Sequence, residues 1–483
     1  MGRLIIVFFL CCLIFPGWQA SADSDQIDET ALHKRIEARI NAEITKNGFP
    51  SLAFGIVQGD KLVFTKYSGL ADRDAKKKAT SKTLYRIGSI SKVFTATLLI
   101  MARDSGHLRL DDWLATYLPA DIPLAFDPKG AFEITLRHLA THSSGLARMP
   151  AAMRTKKDDP YDRISKAELL AGLKQTKMDF PIGRRYSYSN LGFSLLGVVL
   201  EKAFGQPYEK ILEKLLLEPL GMKDTAVSLD KAKTTRLATP YSKSNTNKKT
   251  ADWKLGAFSP AGGIASTIED MALFIALQLK AGKSGKHVVS SGSLTELHTP
   301  QRLTNNWQGA VGLGWHVQPS NQYGDIVWHN GGMDGFRSYL GFAPARQVGI
   351  VILTNCGKSV DQLGRWLLDE AVFAYGQETK TPVAEEVLST ARTLSKYIVK
   401  NPADDIADLF HAGFLKAIPL EKIKLLFSRI FAEHGQCEIA QTKAGLKPRS
   451  AKVLLNCKDG NTVRFLLQVD SGQPPKIIYL LFK

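Results

Sequence analysis

Gly88-Ser89-Ile90-Ser91-Lys92 sets a hydroxyl and an amine three residues apart, one turn apart on a common face if the segment is helical. The spacing predicts that Ser89 opens a helix running through Met101, where unpaired backbone donors favour an alkoxide or a developing oxyanion. A lysine held close to that serine and partly desolvated can lose its own proton and accept the hydroxyl's. Ser89 also stands where a helix N-cap belongs, and Ser228-Leu229-Asp230-Lys231 repeats the spacing. The tetrapeptide alone leaves both readings open.

Tyr188-Ser189-Asn190 is a second cluster, a phenol and an amide two residues apart just before the apolar run Leu191 to Leu200. A phenol titrates near ~10, and neighbouring cations would lower that value far enough for it to serve as a base. The amide of Asn190 could hold both a lysine and a substrate amide. The plainer reading is a packed aromatic followed by a cap. The third cluster is His329-Asn330-Gly331-Gly332, at the end of the strand expected over Asp325 to His329. Two glycines let a substrate backbone approach a strand edge, and a backbone N–H there can face the one at Ser89. A glycine-rich hairpin corner has the same composition.

Two other patterns carry less. His138 and His142 have the i, i+4 spacing of a zinc-binding helix, but Leu139 stands where the glutamate of a zinc protease would be, and no third ligand is evident. Gly282-Lys283-Ser284 resembles the end of a phosphate-binding loop without the preceding glycine or strand, and reads as a surface turn. No Gly-x-Ser-x-Gly elbow occurs. No metal or organic cofactor is called for.

The elements that must position these residues follow from periodicity. Ile27 to Lys46 reads as an amphipathic helix, and Ser51 to Gln58 with Lys61 to Leu70 as a hairpin about Gly59-Asp60. From Ser89 to about Leu220 the pattern is mainly helical, and Tyr208 to Leu217 and Thr267 to Lys280 are further helices. Strand character returns over Val311 to Gln318, Asp325 to His329, Gly335 to Phe342 and Val348 to Thr354, and a helix from Val360 to about Tyr375 follows. Strands, a long helical stretch, then strands again predict an α+β domain whose antiparallel sheet is built from both ends of that segment, around a large helical subdomain.

Arg3, the apolar run Leu4 to Phe15 and Ala20-Ser21-Ala22 form the pattern of a secretory signal peptide over residues 1–22. The domains expected beyond it are 23–376 for the α+β unit, a linker at 377–384, and a C-terminal α+β module at 385–483 without a recognisable chemical motif. Past the leader only Cys356, Cys437 and Cys457 remain; Cys437 and Cys457 flank a strand-turn-strand stretch and could bridge in an oxidising compartment.

The chain has 483 residues, 44% hydrophobic and 23% charged, with a net charge of +17. That composition excludes a disordered, collagenous or multi-spanning membrane chain. The positive balance suits work near an anionic cell-envelope polymer or membrane surface. Its lysine runs lack interleaved aromatics, so nucleic acid is not the expected partner.

Together the three clusters, in this order, resemble those of the penicillin-recognising serine hydrolases: class C β-lactamases, D-Ala-D-Ala carboxypeptidases and related esterases. Thr141-His142-Ser143-Ser144-Gly145-Leu146 and Ser259-Pro260-Ala261-Gly262-Gly263-Ile264 add to the resemblance, which spans roughly Ile27 to Tyr375. It implies Ser89 as nucleophile, Lys92 and Tyr188 sharing general base and acid work, and an oxyanion hole from the N–H groups of Ser89 and Gly332. Asn190, His329, Asn330 and Gly331 would complete the substrate-binding edge. Lactamases of this group usually have lysine where this chain has His329, so the resemblance points to a secreted or periplasmic enzyme acting on a D-amino-acid peptide, amide or ester. A true β-lactamase is the alternative, and a non-turnover binding or sensing protein on the same fold is a second one. Arg337 could supply the missing positive charge, or be an ordinary exposed sheet arginine.

Overall fold

Along Ser51–Gln58 the side chains of Leu52, Phe54 and Ile56 point to one face and those of Ala53 and Val57 to the other, and all are buried. A strand buried on both faces needs a layer on each side. In the computed structural model it has them. The structure describes residues 29–120, 122, 133–150, 163–173, 176, 178–280, 288–320, 323–376, 385–400, 406–444 and 449–482. The expected signal peptide and linker, and Gly282-Lys283-Ser284, lie outside the described residues.

Nine antiparallel strands form the main sheet, in the order Lys77–Lys78, Lys61–Asp72, Ser51–Gln58, Val348–Thr354, Phe336–Ala343, Gly324–Met333, His316–Ser320, Ala310–Val311 and Arg302–Leu303. Strands from both ends of the domain meet in its middle, where Leu52 pairs with Thr354 and Ile56 with Ile350. Helices Glu29–Asn47 and Asp361–Tyr375 cover one face through Ile36, Ile40, Leu367 and Ala371. The other face packs on a helical body that includes Ser91–Asp104, Asn190–Phe204 and Ile268–Gln278. The fold is α+β, as expected.

Two elements differ from expectation. Val311 to Gln318 is not one strand: Gly314 takes a φ of +77°, the chain reverses, and Val311 pairs with His316 across a tight hairpin. The strand expected to stop at His329 runs on through Gly331 and Gly332 to Met333, because Phe336–Ala343 pairs with it along that length.

The C-terminal residues form a four-stranded antiparallel sheet, in chain order, with its own core of Val387, Leu394, Phe427, Val453, Phe465 and Leu467. Cys437 and Cys457 stand directly opposite on adjacent strands and are bridged; Cys356 is a buried free thiol. This unit meets the helix Asp361–Tyr375, on the far side of the main sheet from Ser89. Arg464 pairs with Glu370 and lies over Phe373, and Lys452 lies over Tyr323. No helix among the described residues is long and apolar enough to cross a membrane.

Candidate active site

Ser89 sits in a short 3-10 turn, Gly88–Ile90, that feeds the helix Ser91–Asp104. Gly88 holds a φ of +51°, and a methyl group added to it would come within 2.6 Å of Gly332 N. The backbone leading into Ser89 is therefore seated on the glycine edge of the sheet, and only glycine fits there. Ser338 Oγ donates to Ile87 O at 2.8 Å from the neighbouring strand, and Ser91 Oγ ties Gly88 O to the N–H of Ile264. The turn is held on both sides.

Lys92 follows one turn later with its ammonium carbon stem wholly enclosed. Its Nζ lies 3.2 Å from Ser89 Oγ and donates to Ala261 O at 2.6 Å. Burial first, and the charge of Arg148 second, hold this amine well below its ordinary range. A neutral amine has two N–H donors and a lone pair, so it can keep the bond to Ala261 O while receiving the serine proton. The segment Ser259–Gly262 thus supplies a lysine anchor, a role its sequence does not advertise.

Tyr188 joins the pair. Lys92 Nζ is 4.8 Å from its ring centre, and the guanidinium of Arg148 is 4.9 Å away. Ser189 caps the helix Asn190–Phe204 by accepting from Gly192 N, which brings buried Asn190 to the cleft at the first helical position. The Lys92 amine thus lies between the Ser89 hydroxyl and the Tyr188 ring, and Ser89 and Asn190 line the same cleft.

The third cluster divides between the two faces of its strand. His329 pairs with Leu340 and faces the helical body, fully buried; its Nδ1 lies 2.6 Å from Asn330 O. Desolvation, with His316 and Lys92 nearby, keeps it well below the usual imidazole range, so the ring is neutral rather than partly cationic. His316 is likewise pushed down, to about 4. Asn330 does not join the site. Strand alternation turns it to the opposite face, where its amide donates to Asp361 Oδ2 at 2.8 Å. Period-two reading outward from His329 gives that orientation. Gly331 has no room for a side chain, since a methyl would overlap Ile87 O and Ser338 Oγ. Gly332 is exposed at the rim.

Ser89, Asn190, Gly332 and Ala261 line an open cleft of about 500 Å³ together with Arg148, Lys243 and Arg337. Arg337 is not an exposed sheet arginine. Half-buried, it curls over Gly332 and donates through Nη1 to Met333 O and Phe336 O. Among the described residues neither it, Arg148 nor Lys243 forms an ion pair, and Asp334 is the one acid lining the cleft. A larger groove, about 670 Å³, lies beyond Trp253 and Leu255, away from Ser89.

The remaining sequence candidates part company. His138 belongs to the short helix Leu136–Ala140 and shares a capping box with Thr135; His142 comes after that helix ends, with a φ of +53°, so the two rings do not share a helix face. Ser228 Oγ bonds Glu209 on the surface, remote from any lysine pairing of the Ser89 kind.

The family model for β-lactamases matches residues 34–374 of the chain. A β-lactamase of Pseudomonas fluorescens is 26% identical over 356 residues, 68% of this chain and 94% of its own length. The D-alanyl-D-alanine-carboxypeptidase/endopeptidase AmpH of Escherichia coli K12 is 26% identical over 327 residues, 64% of this chain and 80% of its own. A solved class C β-lactamase superposes with a TM-score of 0.62 at 25% identity, covering 73% of this chain and 99% of that one. With the match extending from the first helix to the end of Asp361–Tyr375, the chain belongs to the β-lactamase family and is a serine hydrolase.

Proposed function

We propose that the protein acts through an acyl-enzyme on Ser89, with a D-amino-acid peptide, amide or ester as substrate. The observation that carries this is Lys92: a buried amine, biased to its neutral form, 3.2 Å from a hydroxyl that opens onto a cleft. Lys92 takes the Ser89 proton as Oγ attacks the substrate carbonyl, and Tyr188, beside Nζ, passes a proton to the leaving group. The N–H groups of Ser89 and Gly332 hold the oxyanion; one such donor is worth on the order of 10²–10³ in rate. Asn190 orients the substrate amide. Water then releases the acyl group.

Arg337, Arg148 and Lys243 give the cleft an excess of positive charge. This favours substrates with a free carboxylate, such as a peptide C-terminus, with Arg337 replacing the cation that a neutral His329 cannot supply. The N-terminal leader pattern and the Cys437–Cys457 bridge support a secreted or periplasmic location. The net charge of +17 supports an anionic envelope polymer as the surrounding partner.

β-Lactam hydrolysis is the second reading, favoured by the relatives of that name. Assays with D-Ala peptides, short-chain esters and a cephalosporin, each with a Ser89→Ala control, separate the two. Sustained cephalosporin turnover supports the lactamase; a stable penicilloyl adduct with turnover of D-Ala peptides or esters supports the peptidase or esterase. Turnover unchanged by Ser89→Ala overturns both.

A further inference from the structure

We propose that His142 is a positioning residue for the reaction: its carbonyl and its imidazole hold the backbone on either side of Tyr188, and the ring packs against the phenol. The contacts are specific. Ser187 N–H donates to His142 O at 2.8 Å, and Ser189 N–H donates to His142 Nδ1 at 3.0 Å. The imidazole lies 4.4 Å from the Tyr188 ring at 30°, 5.0 Å from Phe193, and edge-on to Tyr186 at 5.8 Å. One residue thus holds Ser187 and Ser189, on either side of Tyr188, and packs on the phenol ring.

Because Nδ1 accepts from a backbone N–H, the ring proton belongs on Nε2. His142 is 1% exposed, and Nε2 has no hydrogen-bond partner among the described residues. A buried donor left unpaired and a backbone held at φ +53° are both unfavourable. Packing alone does not require the unpaired donor, which an apolar side chain of similar size would lack. What the histidine adds is the acceptor facing Ser189. Burial first, and then the competition for positive charge with Lys92, His316, His329 and Arg148 around the same pocket, keeps His142 uncharged, so the acceptor stays available.

The same loop completes the clamp. Asn190 N and Leu191 N both donate to Arg148 O, and Ser189 Oγ donates to Ala147 O. Tyr188 and Asn190 are therefore carried as one unit by residues 142–148, and His142 is the member whose side chain accepts from that backbone.

The proposal rests on Tyr188 taking part in proton transfer. That reading is tested separately by Tyr188→Phe, which must lose acylation. For His142, two variants divide the functions of the side chain. His142→Asn keeps an acceptor near the Nδ1 position and tolerates positive φ. His142→Phe keeps the ring and removes the acceptor. Displacements of about 1 Å cost on the order of 10²-fold in rate. Acylation by a fluorescent penicillin is therefore expected to slow about 10- to 100-fold in His142→Phe with little change in half-saturating concentration, and to recover at least partly in His142→Asn. Wild-type rates in His142→Phe, with Tyr188→Phe inactive, would overturn the proposal while leaving the role of Tyr188 intact. Equal loss in both variants, tracking their melting temperatures, would overturn it as well. Should His142→Phe fail to fold, ¹⁵N spectra of the wild-type protein decide: His142 must show a bare Nδ1 and a protonated Nε2 that do not titrate between about pH 5 and 9, and a titrating ring would refute it.

Discussion

Gly331→Ala adds one methyl group at the point where the sheet edge supports the turn that carries Ser89. Its Cβ would overlap Ile87 O and Ser338 Oγ and come within 2.9 Å of Ile87 C. The first and last of these are main-chain atoms two residues before Ser89, and neither can rotate aside. Reaching even 3.0 Å from Ile87 O, the shortest approach a real Cβ makes, requires the strand and the Ile87–Ser89 turn to part by about 1 Å. Overpacking of this kind costs about 1–3 kcal/mol of stability, and a misplacement of about 1 Å at reacting groups costs on the order of 10²-fold in rate. Gly332→Ala is the internal control, since its methyl meets the Arg337 guanidinium first, at 3.0 Å, and that is the end of a flexible side chain. Stopped-flow acylation by a chromogenic ester, with melting followed by circular dichroism, reads both effects. Gly331→Ala should be folded and about 100-fold slower, and Gly332→Ala slower by much less. Equal rates for Gly331→Ala and wild type would show that the seat of Ser89 does not depend on this strand contact.

Three further outcomes follow. Lys92→Met should abolish acylation yet raise the melting temperature near neutral pH. Lys92 is held well below 10.5 in the folded protein, so the unfolded chain binds the extra proton and wild-type stability rises with pH up to the unfolded value; a variant that melts no higher than wild type at neutral pH contradicts this. Arg337→Ala should raise KM about tenfold for substrates bearing a free carboxylate and leave neutral esters unaffected; an equal change for both classes removes Arg337 from substrate binding. Glu370 is nearly buried between Arg35, at 3.1 Å, and Arg464. Glu370→Gln leaves those charges unmatched, at a cost of about 3–5 kcal/mol. Calorimetry should show the C-terminal unit melting earlier, with acylation at 25 °C unchanged; lost acylation would make that unit part of the catalytic apparatus.

The sequence carried local chemistry better than long-range geometry. Ser89 and Lys92 could be paired from a three-residue step, because helical periodicity alone brings them together. Tyr188 had no such link: its place beside Lys92 depends on residues 142–148 and on Ala261, none of which has a spacing that announces it. His142 was set against His138 as a possible ligand pair, whereas the helix ends at Ala140 and a positive φ redirects the ring toward Tyr188. Asn330 was grouped with its neighbours by composition, although alternation from His329 turns it away. Arg337 could be weighed only once the register opposite Gly332 was known. The sheet from both ends of the domain was readable because Ser51–Gln58 and Val348–Thr354 are each apolar on both faces, while the break at Gly314 hides within continuous apolar character.

The most direct test of the account is peptide mapping by mass spectrometry after reaction of the purified protein with a penicillin or an activated ester. One covalent adduct on the peptide containing Ser89, absent from Ser89→Ala and from Lys92→Met, is the predicted result. An adduct on any other residue, or one of equal yield in Ser89→Ala, would contradict it.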